Sequence, residues 1–220
     1  MIKATLWRIA TAAFFLALTG CAVPTKNVDY SAFRESRPTS ILVLPPLNSS
    51  VDIDAPEAVL AQATLPLAES GYYVFPVAVV QETFRKNGLD NAGDIHALPP
   101  SKLHEIFGAD AALYMDVKRY GSSYAVLASS VVVELDATLL DLRSGQKLWT
   151  GKEMVVEQSG SRGGGLIGML VSAAINQIAN TLSNRSFVVA AMANQRLLTA
   201  GQPGGLLYGP RSAHYELEQP

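Results

Sequence analysis

Cysteine is nearly absent: the chain of 220 residues has one, Cys21. A single thiol excludes an internal disulfide framework. With neither a cysteine pair nor a His-Glu-x-x-His motif, the familiar zinc patterns are excluded too. Histidine is scarce. His96, His104 and His214 fall in an expected loop, an expected short helix and the tail, so each is read as a surface residue rather than a metal ligand. His104-Glu105 could act as an acid/base couple, but no Gly-x-Ser-x-Gly supplies a nucleophile beside it. Asp52 and Asp54 open like a calcium loop yet lack its glycine and distal glutamate, and they suit a polar lead-in to a helix. No catalytic or metal-binding residue is expected, and the chain is not read as an enzyme.

Two further absences narrow the class. After residue 20 no segment approaches the roughly twenty apolar residues that a membrane-spanning helix requires. Nor is there a basic excess: beyond residue 20 the chain carries 15 basic and 19 acidic residues, which argues against a general nucleic-acid binder.

What is present begins at the amino terminus. Lys3 and Arg8 precede an almost wholly apolar run from Ile9 to Leu18, and Thr19-Gly20 supplies small residues before Cys21, the order of a secretory signal peptide over residues 1–20. The run is about half the length of a span, so it is an export signal. Leu18-Thr19-Gly20-Cys21 resembles the lipobox of bacterial lipoproteins. That resemblance implies cleavage between Gly20 and Cys21 and a covalent diacylglyceryl group and N-acyl chain on Cys21, with no other cofactor. One acyl chain anchors marginally and two or three hold firmly. Ala22 stands where many inner-membrane-retained lipoproteins carry Asp, so the resemblance favours the outer membrane, with the body facing the periplasm.

Residues 21–39 read as a lipidated tether, polar and without sustained period. If flexible, it would reach roughly 25 Å, and extended it could approach 60 Å. Tyr30, Phe33 and Arg34 are unusual in a linker and suggest that part of it docks. Residues 40–199 read as a single domain. "SILVLPPL" from Ser40 suits a buried central strand stopped by Pro45-Pro46. Pro56 to Ser70 places Val59, Leu60, Ala63, Leu67 and Ala68 at helical spacing, with a kink or break expected at Pro66. "YYVFPV" is a second strand, Val79 to Lys86 a second helix ended by Asn87-Gly88, and Pro99-Pro100-Ser101 starts a short helix through Phe107 that Gly108 stops. Three strands follow. In the middle one Val131, Val133, Leu135, Ala137 and Leu139 alternate with Glu134, Asp136 and Thr138. Arg143 to Gln146 makes a hairpin turn, with Gly145 in a left-handed position. The pattern predicts an α+β fold: a mixed sheet with a strand, helix, strand, helix start and an antiparallel meander, packed by helices, with a helical C-terminal region.

Ile41 to Leu47, "ADAALYMDV" and "LLDLRSGQKLW" resemble periplasmic domains of the curli-secretion channel protein and the amino-terminal domain of TolB. More narrowly, "DYSAFRESRPTSILVLPPLNSS", "PLAESGYYVFPVAVVQETFRKNGL", "DIHALPPSKLHEIFGADA" and "GGLLYGP" resemble a family of Gram-negative lipoproteins that includes neisserial vaccine-candidate antigens. This resemblance covers essentially all of the chain beyond the signal. It implies envelope assembly, transport or secretion, and carries no active site.

"GGGLIG", Gly163 to Gly168, satisfies the dinucleotide pattern Gly-x-Gly-x-x-Gly, but no acid occurs between Gly168 and Glu216 to meet a ribose. It reads as a loop with Arg162 at its tip. Leu166 to Leu182 is apolar around most of its circumference at first, so it must be covered by the domain's own sheet or by a partner. Gly164, Leu166 and Gly168 are therefore interaction candidates. Trp149 reads as a core plug or sheet-edge contact, and joins them as an interaction candidate. In the terminal arm, residues 200–220, Leu206, Leu207 and Tyr208 should pack back or dock on a neighbour.

The reading is of a lipid-anchored, protein-binding subunit of an envelope transport, secretion or assembly system, with envelope proteins or a second copy as partners and no nucleic acid. The alternatives are a periplasmic carrier or enzyme acting on lipid or glycan in a groove beside the sheet, and a surface-exposed antigen or adhesin. Replacing Cys21→Ser is expected to release the protein from membranes or leave it unprocessed, as read by fractionation and amino-terminal mass. A cleaved variant that stays on the membrane would contradict the anchor.

Overall fold

The computed structural model describes residues 28–125, 128–158 and 182–215. The signal peptide, Cys21 and most of the Leu166 to Leu182 segment, with Gly164 and Gly168, lie outside the described residues. One mixed, six-stranded sheet organises the rest: β1 (Ser40–Val43), β2 (Leu47–Asn48), β3 (Tyr73–Val74), β4 (Ala111–Ala125), β5 (Ala128–Asp141) and β6 (Lys147–Gln158). β1 is central and fully buried, parallel to β3 on one side and β4 on the other, while β4, β5 and β6 form the expected antiparallel meander. The α+β mixed sheet predicted from sequence is the fold observed.

The strand at Ser40 does not end at Pro45-Pro46. It resumes as β2 along the same β4 edge: Val43 pairs with Leu113 and Leu47 with Asp116, so the prolines are accommodated as one extra residue. Neither proline has an N–H to offer, yet the ladder recovers at once, with Leu44 donating to Leu113 at 3.1 Å and Ser49 to Val117 at 2.9 Å.

Helices cover the two sheet faces unequally. On the inner face lie α1 (Ser31–Ser36), α2 (Ala55–Glu69) and α6 (Leu182–Leu198), packed over the alternating set Val131, Val133, Leu135, Ala137 and Leu139. On the outer face α3 (Val77–Lys86), α4 (Ala92–His96) and α5 (Pro100–Phe107) enclose a smaller core of Leu42, Leu44, Val80, Phe84, Leu103 and Leu142.

Several helix expectations need correction. α2 runs unbroken through Pro66, which is buried alongside Ala63 and Leu67; packing of that face holds the helix where the proline removes one bond. The Pro66 carbonyl still accepts from the Ser70 N–H at 3.0 Å and its hydroxyl at 2.6 Å. Ala68 is exposed rather than part of the buried face. α3 starts at Val77, two residues before the expected Val79. α4 falls where a loop was expected; Asn91 caps it by accepting from the Gly93 N–H at 2.7 Å. Consequently His96 is not a surface residue. It is half-buried, donates from Nε2 to the Pro45 carbonyl at 2.9 Å and meets the Tyr114 ring edge-on, and burial lowers its pKa. His104 is also half-buried, with Nδ1 donating to Ala109 at 2.7 Å, whereas His214 is exposed as expected.

Two carboxylates tie the segment before β1 to the meander. Asp110 Oδ2 accepts from the Thr39 N–H at 3.0 Å and hydroxyl at 2.6 Å, and from the Ser40 N–H at 3.1 Å and hydroxyl at 2.9 Å; its Oδ1 meets Arg143 at 2.7 Å. Asp141 accepts from Ser36 at 2.6 Å and from the Arg143 and Ser144 amides at 2.9 and 2.6 Å, fastening α1 to the turn where Gly145 takes φ 73°. Burial pushes both carboxyls up, but the hydrogen bonds together outweigh it, and each lies below its usual range. Because the folded-state pKa values are depressed, the stability they contribute is present above the ordinary carboxylate range and lost as pH falls below about 4. Asp110→Asn is expected to cost about 1.5–3 kcal/mol at pH 7 and to flatten that acid-side loss. Denaturant melts recorded across pH check both.

Candidate interaction surfaces

The two ends of the sheet differ in how they are closed. At the end where β1 begins, the C-terminal arm crosses the edge of the inner core as a lace. Gly204 accepts from Trp149 Nε1 at 3.0 Å, Gly205 from the Tyr30 hydroxyl at 2.5 Å and Leu207 from the Tyr72 hydroxyl at 2.5 Å. Farther along, the Gly209 and Arg211 amides donate to Ser70 at 2.8 Å and Gly71 at 3.1 Å. Gly71 and Gly209 pack backbone on backbone, for a Cβ on Gly209 would lie 2.6 Å from the Gly71 carbonyl. Three aromatic side chains from three separate stretches of the chain thus receive one polar strip, which leaves those arm carbonyls satisfied.

The predicted interaction residues in this region are occupied within the chain. Trp149 is 3% exposed, its ring lying over Gly151, where a Cβ would come within 2.2 Å of it. Leu206 is buried, and Leu207 and Tyr208 are partly buried against the same core. Of the two readings offered for each, core plug and packed-back arm are what the structure places. Phe33 is buried in this core as well, so the second half of the segment read as tether belongs to the body.

The other end is more open, and sequence reading did not single it out. The outer face of β4, β5 and β6 beyond the α3, α4, α5 layer carries no covering element among the described residues. There Met154 is 53% and Val156 47% exposed, opposite Glu134 and Val132 across the ladder. Ion pairs flank them: Arg119 with Glu134 at 3.1 Å and Lys152 with Asp136 at 2.7 Å. At the sheet end, residues 49–54 project Val51 and Ile53, 99% and 86% exposed, and Asp52 accepts from the Asp54 N–H at 2.9 Å. The calcium-like pair thus serves as a local turn before α2. Tyr120 nearby is pushed up to about 12 by burial and by Asp52 and Asp54. Between this end and α4 lies an open groove of about 720 Å³ bordered by Pro46, Asn48, Glu57, Arg85, Asp90 and Asp116. The signal for the open face was the alternation itself, in which Met154 and Val156 take positions that face water.

Fold and surfaces together define an α+β domain closed at one end by its own residues 204–211 and, among the described residues, left open along one face of its meander. The chain belongs to the family described as "Putative lipoprotein GNA1162-like", which residues 28–211 match. It is 51% identical over 197 residues to the "Putative lipoprotein NMB1124/NMB1162" of Neisseria meningitidis serogroup B, covering 89% of this chain and 92% of that protein. The crystal structure of lipoprotein GNA1162 from Neisseria meningitidis aligns at 54% identity with a TM-score of 0.56, over 66% of this chain and 100% of that one. A PelC dodecamer from Paraburkholderia phytofirmans aligns at 15% identity and TM-score 0.44 over 74% of this chain and 89% of that one, a distance at which its assembly says nothing about this chain.

Trp149→Ala is expected to cost about 3–5 kcal/mol through the cavity it leaves, and Trp149→Phe about 1–3 kcal/mol through the unsatisfied Gly204 carbonyl. Both should expose residues 200–215 to limited proteolysis before the rest of the domain, which peptide mapping would read.

Proposed function

We propose that the protein is an outer-membrane lipoprotein held by acyl chains on Cys21, whose body serves without catalysis as a protein-interaction subunit of an envelope transport, secretion or assembly system. Membership of a family named for lipoproteins supports the anchor, as does the Leu18-Thr19-Gly20-Cys21 signal with Ala22 behind it. The binding role is carried by one observation: Met154 and Val156 form an apolar spot on a sheet face, bracketed by ion pairs, with no covering element among the described residues. An apolar centre with a charged rim is how protein interfaces are built. The perturbed carboxyls Asp110 and Asp141 fasten backbone rather than face the groove, which favours binding over acid/base chemistry.

A Met154→Asp, Val156→Asp double substitution tests the binding role. Because both side chains face solvent, stability should change by only about 0.5 kcal/mol per site, while crosslinked adducts recovered from native membranes should fall at least tenfold, about 1.4 kcal/mol. Undiminished adducts would overturn the assignment. The alternative of a lipid or glycan carrier draws on the groove beside Asn48 and Arg85; native mass spectrometry showing a bound lipid or glycan that Arg85→Glu abolishes would favour it instead.

A further inference from the structure

We propose that the α1 end of the domain rests on the anionic headgroup surface of the membrane that holds Cys21, with Arg34 and Arg37 as the contacting cations. The proposal rests on the anchoring reading above and adds which face of the body meets the lipid. Chain length sets the first constraint. Seven peptide steps separate Cys21 from Val28, where the described chain begins, and fully extended they span roughly 25 Å. The longer tether expected from sequence is not available, because Phe33 is buried and the Tyr30 hydroxyl is bonded to Gly205. β4 alone, at 15 residues, is about 50 Å long, so the far end of the meander stands away from the lipid whenever the α1 end is near it.

Charge supplies the second constraint. Arg34 and Arg37 are exposed and form no ion pair among the described residues; Arg37 Nε donates only to the Arg34 carbonyl, at 3.1 Å. They flank a shallow concavity lined by Phe33, Leu207, Tyr208 and Tyr215, and tyrosines suit a boundary that is apolar on one side and wet on the other. Asp29 and Glu35 are the acids of the same segment, and over residues 22–39 the sequence carries three bases to two acids. The opposite end presents Asp52 and Asp54 with no cation in their loop, which an anionic surface would repel. Arginine beside an anionic membrane contributes about 1 kcal/mol, or about fivefold in contact population.

The test uses the lipidated protein in vesicles of phosphatidylcholine, with or without one-third phosphatidylglycerol. Acylation occupies Cys21, so Ser31→Cys or Val51→Cys provides a single thiol for a nitroxide label. With phosphatidylglycerol, the label at residue 31 should become shielded from an aqueous relaxation agent while that at residue 51 stays open. Arg34→Glu with Arg37→Glu should reverse the shielding by about tenfold or more, as should molar salt, without changing the amount of protein sedimenting with vesicles. Protein that sediments but leaves residue 31 equally open in both lipids overturns the proposal alone. Protein that fails to sediment overturns the anchor, and the proposal with it.

Discussion

Asp110 is the constraint on which the rest of the architecture depends. A parallel pairing of β1 with β4 joins residues about seventy positions apart, and no tight turn can set its register. The carboxylate does so by accepting from four donors on Thr39 and Ser40 at the point where β1 begins, while Arg143 from the β5–β6 turn reaches its other oxygen. Three segments are thereby brought to one side chain. Asp141 repeats the device for α1 through Ser36, and between them the two acids tie the segment before β1 to the most regular part of the fold. Their charged state is favoured because each accepts several hydrogen bonds, so the tie is strongest at neutral pH.

Unequal covering of the sheet follows from the way the chain divides its apolar residues. Val131, Val133, Leu135, Ala137 and Leu139 demand a long helical roof, supplied by α2 and α6, whereas the other face is covered near Ala112 and Leu142, where α3, α4 and α5 sit. Beyond that point ion pairs bracket the exposed Met154 and Val156. Among the described residues, the result is one end sealed by the arm and one face left uncovered.

Much of this was legible in the residues. Alternation in β5, the Arg143 to Gln146 turn and the buried run at Ser40 were plain because each is a local pattern with one physical solution. The helix across Pro66 was not, since its survival depends on tertiary packing that local rules do not contain. α4 was missed because Ala92 to His96 is only five residues long, too short for periodicity, and its cap lies in the single Asn91 side chain. His96 was misplaced for the same reason. The roles of Trp149 and Leu206 were left between core and partner, as their hydrophobicity fits both; only the hydrogen bond to Gly204 and the contact over Gly151 separate the two. The open sheet face could be inferred from which residues alternate outward, but not that the helices among the described residues would stop short of it.

The bond from Tyr30 to Gly205 spans 175 positions. A chain synthesised N-terminus first therefore presents one half of this contact long before the other exists. Until residues 204–206 arrive, the inner core lacks Leu206 and the tryptophan indole lacks its acceptor, so closure of the domain waits on that distant segment rather than on any local folding step. Chains stalled short of residue 205 would expose apolar surface at the α1 end of the domain, where chaperones or proteases could engage it.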